Sequence, residues 1–421
     1  MSAWLANAIE KSHSVNDWLT AKRQGALALL QEKNWPGRKT EDWKYTSVRA
    51  LEKRAISSAA NAGEVNVATI AGLEAIELHF IDGHFQGVKQ SLPEGLSIVE
   101  LSKADAEVQA WAVEAFSACK PKKHLFGLIN DTLADNGLVI DVAEGADIKQ
   151  PMRIVNEITQ DIDVQHRVLV RLGEGAKATV IEQAGGTQES YFSGFAEYFL
   201  AEKAALEHYR FCLRTGKALS IGGSHFELKS NAQINSTLVG FGSELSRLDV
   251  DVMHRGEGAH AKINAVYLLD SGEIFDLHSC IEHEIGHCTT DETVRGIVGD
   301  KATATFNGRI HIHRDAQKTL AELSNKNLLL TDNAQINTKP ELEIYADDVR
   351  CAHGATVAEL DKSALYYLTS RGVSKSQALV MLNFGFINAL VDEMPNSALA
   401  EWLRPQLQER FAKMNQEPAQ A

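Results

Sequence analysis

A chain of 421 residues, 44% hydrophobic and 23% charged, has room for about two to four domains and a large core. Its net charge of −14 argues against a partner held by phosphate neutralisation, so no nucleic acid is expected. The five cysteines (Cys119, Cys212, Cys280, Cys288 and Cys351) are widely spaced and form no CxxC, which excludes a disulfide framework or simple zinc ribbon and fits a reducing cytosol.

The N-terminus, MSAWLANAIEKSHS, has no basic segment followed by an apolar one, so no secretory leader is expected there and a cytoplasmic location is. Residues 1–60 read as helical. Ser14 or Asn16 can cap a helix through Trp18, Leu19, Ala26, Leu29 and Leu30, with Pro36-Gly37 as its stop. Arg38 to Leu51 is dense in charge and aromatics and reads as a surface segment docking Trp43 and Tyr45 on the body.

Residues 61–150 are a mixed lead-in. Asp82-Gly83 lies between two short apolar runs and predicts a hairpin. Leu101 to Asn136 has helical spacing.

From 151 to 355 short alternating strands follow one another. Val168, Val170 and Leu172 alternate with Arg167 and Arg171; Ile234, Ser236 and Leu238, then Ile263, Ala265, Tyr267 and Leu269, form similar sets. Similar turns punctuate them: Gly173 to Ala176, Ser230 to Ala232, Gly256 to Ala259, Gly299 to Ala302 and Thr331 to Ala334. Several recur at roughly 28 to 32 residues, a solenoid period, with one longer interval between Ala259 and Ala302. A coil of that length holds two ordinary strands and two turns, which predicts a two-sheet, flattened parallel β-helix; a large sandwich is the alternative.

Residues 356–421 are helical again. Asp361 or Ser363 can cap a short helix ending at Arg371-Gly372, and Ser374 to Gln377 is a capping box. The helix it opens shows the stripe Leu379, Leu382, Phe386 and Leu390, with Val380, Met381, Phe384 and Ile387 off it. Two apolar faces suggest a helix between the body and a partner. The run Leu379 to Val391 contains Asn383 and Asn388 and is too short to span a bilayer.

His283-Glu-Ile-Gly-His287 matches H-E-x-x-H, a zinc hydrolase pattern. That chemistry needs a helix, and the neighbourhood alternates like a strand. Two strand residues four apart sit about 13 Å from each other, too far for one zinc ion with bonds of ~2.1 Å. The wider cluster His278, Cys280, His283, His287 and Cys288, and the pair His311 and His313, read as surface or half-buried β-helix residues, with another metal geometry as the alternative. Cys351 and His353 share a strand face. They are either a buried thiol and a satisfied core histidine, or soft ligands suited to iron, sulfide or copper(I). Two ligands do not complete a site, so a partner chain would supply the rest.

The run Thr338 to Asp361, TKPELEIYADDVRCAHGATVAELD, resembles the signature of the SufB/SufD family of iron–sulfur cluster assembly proteins. Arg38 to Val48 resembles the family's N-terminal motif. Phe306 to Ile310 with Asn325 to Leu328 resembles the last turns of its β-helix, and Tyr366 to Val391 its C-terminal helices. The length matches the shorter of the family's two types. The resemblance implies a right-handed parallel β-helix between N- and C-terminal helical domains, acting as a non-catalytic scaffold. It implies pairing with a SufB-like subunit through the last coils, docking of a SufC-like ATPase on the C-terminal helices, and a homodimer as a possible resting form. It maps the family's motif histidine, which acts on a transient iron–sulfur cluster and is a candidate iron ligand, onto His353, and the motif cysteine onto Cys351. The chain itself has no GxxxxGK[ST], so ATP hydrolysis would come from the partner. The rival expectation is a metal-dependent hydrolase or lyase on a β-helix, acting through His283 and His287.

Overall fold

In the computed structural model, residues 2–122, 124–359 and 361–414 are described; Leu360 of the motif and residues 415–421 of the expected C-terminal domain lie outside them. The helices are α1 Ala3–Ser12, α2 Thr20–Gln31, α3 Arg49–Glu52, α4 Ala106–Ala115, α5 Leu125–Leu133, α6 Lys362–Ser370, α7 Lys375–Asp392 and α8 Ser397–Met414. The strands begin with β1 Ile76–Ile81, β2 His84–Phe85, β3 Leu96–Glu100, β4 Asn136–Val142, β5 Met152–Glu157, β6 Asp163–Leu172, β7 Lys177–Gly185, β8 Tyr191–Leu200 and β9 Ala205–Cys212. They continue with β10 Leu219–Leu228, β11 Gln233–Gly240, β12 Leu245–His254, β13 His260–Leu269, β14 Ile274–His283, β15 Thr289–Val298, β16 Thr303–Ile312, β17 Leu320–Leu329, β18 Gln335–Ile344 and β19 Arg350–Glu359.

From β4 onward, successive strands alternate between two sheets and pair in parallel with the strand two further on. The result is a two-sheet parallel β-helix with helices at both ends of the chain, as the turn spacing predicts. Partners differ by 26 residues at Leu219↔Leu245 and by 32 at Thr303↔Gln335. The long interval between Ala259 and Ala302 has a simple cause. Ala176, Ala204, Ala232 and Ala259 line one edge of the solenoid, while Ala218, Ala302 and Ala334 line the other, and all are buried.

The first edge is also a column of left-handed residues: Gly145, Gly175, Lys203, Asn231, Gly258, His287 and Lys318. The N–H of Gly175 donates to Glu202 in the next turn at 2.8 Å, that of Lys203 to Ser230 at 2.9 Å, and that of His287 to Gln317 at 2.9 Å. Turn stacks on turn, so the bend costs no backbone hydrogen bonds.

At the N-terminal end β2 and β3 pair antiparallel with β1 and β4, and β1 and β4 already belong to the two sheets, upstream of residue 151. Asp82 and Gly83, both with positive φ, form the predicted hairpin turn. The expected helix near residue 18 begins later, at Thr20. Neither Ser14 nor Asn16 caps it. The N-cap is Leu19, with no side-chain cap hydrogen bond; Asp17, just before it, accepts from the Leu19 N–H at 2.9 Å and binds the Arg23 guanidinium.

Helices α1, α2 and α5 pack Trp4, Leu5, Leu30 and Phe126 on the outer face of the nine-stranded sheet, against Tyr191, Phe195 and Ile221. A buried charged cluster pins this contact. Arg167 binds Asp131 at 2.9 Å and also Glu197; Glu197 accepts from the backbone N–H groups of Ser117, Cys119 and Lys120, and Lys120 pairs with Asp131 at 2.9 Å.

On the outer face of the ten-stranded sheet, α7 and α8 bury Ile387, Val391, Leu403, Leu407 and Phe411 against Phe211, Val239, Leu268 and Ile297. Asp361 caps α6, Ser374 caps α7 and Gly372 has φ +86°, as predicted. The body-facing stripe of α7 differs from the expected one. It runs through Asn383, Ile387, Leu390, Val391 and, just past the helix, Met394, while Leu379 and Leu382 are only half-buried. The helix carries two overlapping apolar stripes, and packing with α8 chooses between them.

Burial alone would raise the Glu197 carboxyl; Arg167, Lys120 and His225 hold it below its ordinary value. Removing it strands a buried guanidinium and three N–H groups. Glu197→Ala is therefore expected to lower unfolding stability by about 3–5 kcal/mol at pH 7. The pKa is lowered on folding, so this contribution exists above roughly pH 4.5 and fades as pH falls through the folded value. Denaturant unfolding of both proteins between neutral and acidic pH checks it: the difference should shrink in acid.

Candidate functional site

The two sheets end in β18 and β19, whose far edges pair with no strand among the described residues. Every earlier coil has its interior face closed by the following one. Here nothing follows. Ile344, Tyr345 and Val357 are exposed by 42%, 60% and 48%, unusual values for apolar residues in a solenoid wall.

Register fixes the orientation of the two candidate residues. Cys351 pairs with Ala321 and His353 with Leu323, and both partners are buried in the solenoid interior. Cys351 and His353 therefore point inward, as a core reading requires, but into a coil left uncovered. Cys351 is half-buried, and burial pushes its thiol above the ordinary value; His353 is exposed. Facing them are Ile336, Thr338 and Leu342 of β18, in register with interior residues Ala304, Phe306 and Ile310.

One coil down, the interior turns polar. Asn327 donates to Asn325 at 2.6 Å and to the Thr356 carbonyl at 3.3 Å, Thr338 donates to Asn325 at 2.8 Å, and the Tyr267 hydroxyl donates to Asn327. This network ties both strands of the last coil to the one beneath. Asn325 and Asn327 were legible only as part of a motif; their interior parity, i and i+2 on one strand, is the signal that marks them as buried.

The N-terminal motif reaches the same end. Trp43 is buried against Phe126 (ring centroids 5.0 Å apart) and under the Arg247 guanidinium at 4.1 Å. Glu41 pairs with Lys339 of β18 at 2.7 Å. Tyr45, expected to dock with Trp43, is instead 48% exposed.

The histidine-rich run is dispersed by the fold. Strand β14 ends at His283, and His287 occupies the left-handed corner of the following turn with φ +59°. There is no helix to carry H-E-x-x-H. His278 lies on the outer face 2.9 Å from Asp276, and Cys280 lies there beside the Arg309 guanidinium at 3.2 Å. His287 approaches Glu257 at 3.6 Å at the surface, and only His283 and Cys288 turn inward. His311 and His313 converge on one Glu282 oxygen, at 2.6 and 2.8 Å, and Arg309 bridges Glu282 to Glu343. Burial would raise the Glu282 carboxyl, but His313, Arg309 and His311 hold it down. These atoms satisfy one another as a surface ion-pair network.

Among the described residues, the solenoid is capped by antiparallel strands at one end and leaves a thiol and an imidazole on the uncovered interior face of its last coil. Residues 155–386 match the family model described as SUF system FeS cluster assembly, SufBD core domain, and residues 6–154 match the SufBD protein N-terminal region. The chain belongs to the SufB/SufD family of iron–sulfur cluster assembly proteins. It is 28% identical to the iron–sulfur cluster assembly protein SufD of Escherichia coli, over 96% of this chain and 97% of that protein. A SufBD family protein of Synechocystis is also 28% identical, over 92% and 90%. The SufB of Bacillus subtilis is 22% identical over 68% and 62%.

A left-handed conformation costs a non-glycine residue about 1–2 kcal/mol, partly offset by glycine's greater freedom when unfolded. His287→Gly is therefore expected to keep stability within about 1 kcal/mol of the parent, with the midpoint unchanged or raised. Chemical denaturation checks this; a large loss would restore a structural or ligand role to His287.

Proposed function

We propose that this chain is a non-catalytic scaffold subunit of an iron–sulfur cluster assembly complex in the cytoplasm, and that the cluster forms transiently where its last coil meets a SufB-like subunit. The observation that carries this reading is the placement of Cys351 and His353 on the interior face of an uncovered coil. Free strand edges favour strand addition, which would continue both sheets into a partner and enclose the two side chains. His353 then ligates iron or positions a proton with partner residues, and an imidazole has the donor and acceptor nitrogens for either role. Cys351 is a second ligand or a wall of the same space. A homodimer through the same edges would be a resting form.

The C-terminal helices support an ATPase-docking role. Helix α6 has no buried residue, Tyr366 and Tyr367 are exposed by 75% and 57%, and Met381 of α7 by 55%. Apolar side chains so exposed on one helical hairpin fit a protein contact. The SufC-like partner would supply ATP hydrolysis, and its motion would be passed through α7 and α8 to the ten-stranded sheet that ends in β19. The hydrolase reading loses its basis, because His283 is buried and His287 stands on a corner.

Co-purification with SufB-like and SufC-like partners tests the reading. His353→Ala is expected to bind both and to lose most cluster formation in anaerobic reconstitution, read by visible absorption and iron content. Normal cluster yield with intact binding would remove His353 from the site, and failure of the parent chain to bind either partner would remove the scaffold assignment. Separately, Met381→Asp is expected to leave the circular dichroism unchanged and weaken ATPase binding by about 2 kcal/mol, roughly 30-fold, in calorimetric titration.

A further inference from the structure

We infer that His254, His283 and Cys288 form a soft-metal site inside the solenoid, separate from the uncovered last coil. The inference goes beyond the scaffold reading and does not rest on it.

The site begins as an exception in a repeated pattern. One interior column of the nine-stranded sheet runs Leu172, Leu200, Leu228, His254, His283, Ile312 and Ile344, each in register with the next. Two imidazoles stand where every other coil places a Val, Leu or Ile, Val142 being in register with Leu172. At the adjoining corner, Ala176, Ala204, Ala232 and Ala259 are followed by Cys288. Three potential ligands thus replace aliphatic residues at neighbouring positions, and all are fully buried.

The hydrogen bonding of the pair is incomplete. The Nε2 atoms of His254 and His283 both lie 3.1 Å from the Thr290 hydroxyl, and neither Nδ1 has a partner. One hydroxyl proton serves one ring, so it donates to one Nε2 and accepts from the other. The first ring must then carry its own proton on an unpartnered Nδ1, and the second keeps a bare Nδ1 lone pair. Orphaned polar atoms in an aliphatic interior are costly, and Leu or Ile would have none. An ion taking the Nδ1 lone pair of each ring gives both orphaned nitrogens a partner and leaves one unmet donor, the Thr290 hydroxyl proton. Both ring protons then sit on Nε2, and the Thr290 oxygen has a lone pair for each.

The three side chains lie close enough together to share one ion. One nitrogen of each ring and the Cys288 sulfur lie within 4.8 Å of one another. A three-coordinate ion with bonds of ~2.1–2.3 Å needs its ligands about 3.6–4 Å apart, so a shift of about 1 Å closes the site. The rings, now stacked with centroids 4.3 Å apart and 6° between planes, would tilt towards each other.

Two imidazoles and a thiolate select a soft or borderline ion. Burial drives both histidines down, His283 to about 4, so both are neutral ligands at pH 7. Burial raises the Cys288 thiol, so binding expels its proton to solvent as the metal–sulfur bond forms. A monovalent ion with one thiolate leaves the interior neutral. A divalent ion leaves one positive charge beside Leu228 and Ile312. Charge balance therefore favours Cu(I) over Zn(II).

The test is an anaerobic titration of the full-length protein, refolded with Cu(I) buffered by bathocuproine disulfonate, with a parallel Zn(II) arm. Because Cys212, Cys280 and Cys351 are half-buried thiols that also take Cu(I), the site is read as the difference between wild type and Cys288→Ala. The second variant, His254→Leu with His283→Ile, restores the aliphatic column and should fold, as judged by circular dichroism and melting. Wild type is expected to hold one more Cu(I) than either variant and to release one more proton. Equal uptake of both ions by wild type and both folded variants would overturn the site. Excess uptake of Zn(II) alone would keep the site and overturn the choice of ion.

Discussion

A coil of a β-helix has no way to bury its own interior. Each of its two strands presents one face inward, and only the coils above and below close that space. The stacked alanines and aliphatic columns of this chain answer that constraint from β4 to β17. At the start of the solenoid the antiparallel strands β2 and β3 blunt the two edges. At the other end β18 and β19 have no such cover among the described residues, so the same inward parity that makes core elsewhere makes surface there. The position of Cys351 and His353 follows from that asymmetry: they occupy core positions in a coil that no further strand covers among the described residues.

Helices α7 and α8 lie on the ten-stranded sheet through an apolar contact fastened by Arg410, which pairs with Glu273 and donates to the Phe241 carbonyl at 2.7 Å. The nine-stranded sheet adds to its apolar contact a chain of buried ion pairs, from Arg167 with Asp131 and Glu197 to Arg247 with Asp249 and Asp276. Such pairs are directional and costly to break, so they fix the N-terminal region in one position. Through Trp43 under Arg247 and Glu41 on Lys339, that fixed region reaches β18. The open coil is thus held from one side by a rigid contact and joined on the other to a helical hairpin with an exposed apolar face.

Polar residues inside the solenoid fall in layers, and the largest joins Glu182, His208, Arg210, Ser224 and Ser236. Asn325, Asn327 and Thr338 are hydrogen-bonded to one another directly beneath the open coil through the Asn325 Oδ1, while the Asn325 Nδ2 has no partner. His254 and His283 lie deeper, share a single hydroxyl and leave two nitrogens unpartnered.

Alternation and turn chemistry are local properties, and the sequence by itself determined what rests on them. It determined the two-sheet solenoid, the hairpin at Asp82-Gly83, the caps at Asp361 and Ser374, and the shared strand face of Cys351 and His353. It also held the motifs that carry the family. The tertiary structure decided what depends on stacking between coils. Turns from two edges look like one irregular repeat until register separates them. His254 and His283 are 29 residues apart in the chain and one strand apart in space, so their meeting has no local signal. The dense run from His278 to Cys288 looks like one cluster but is split by strand parity and a corner between the outer face, the surface and the interior. Whether Cys351 and His353 lie buried or uncovered was likewise beyond local reading. Their inward direction is written in the alternation, but the absence of a covering coil is a property of the whole stack.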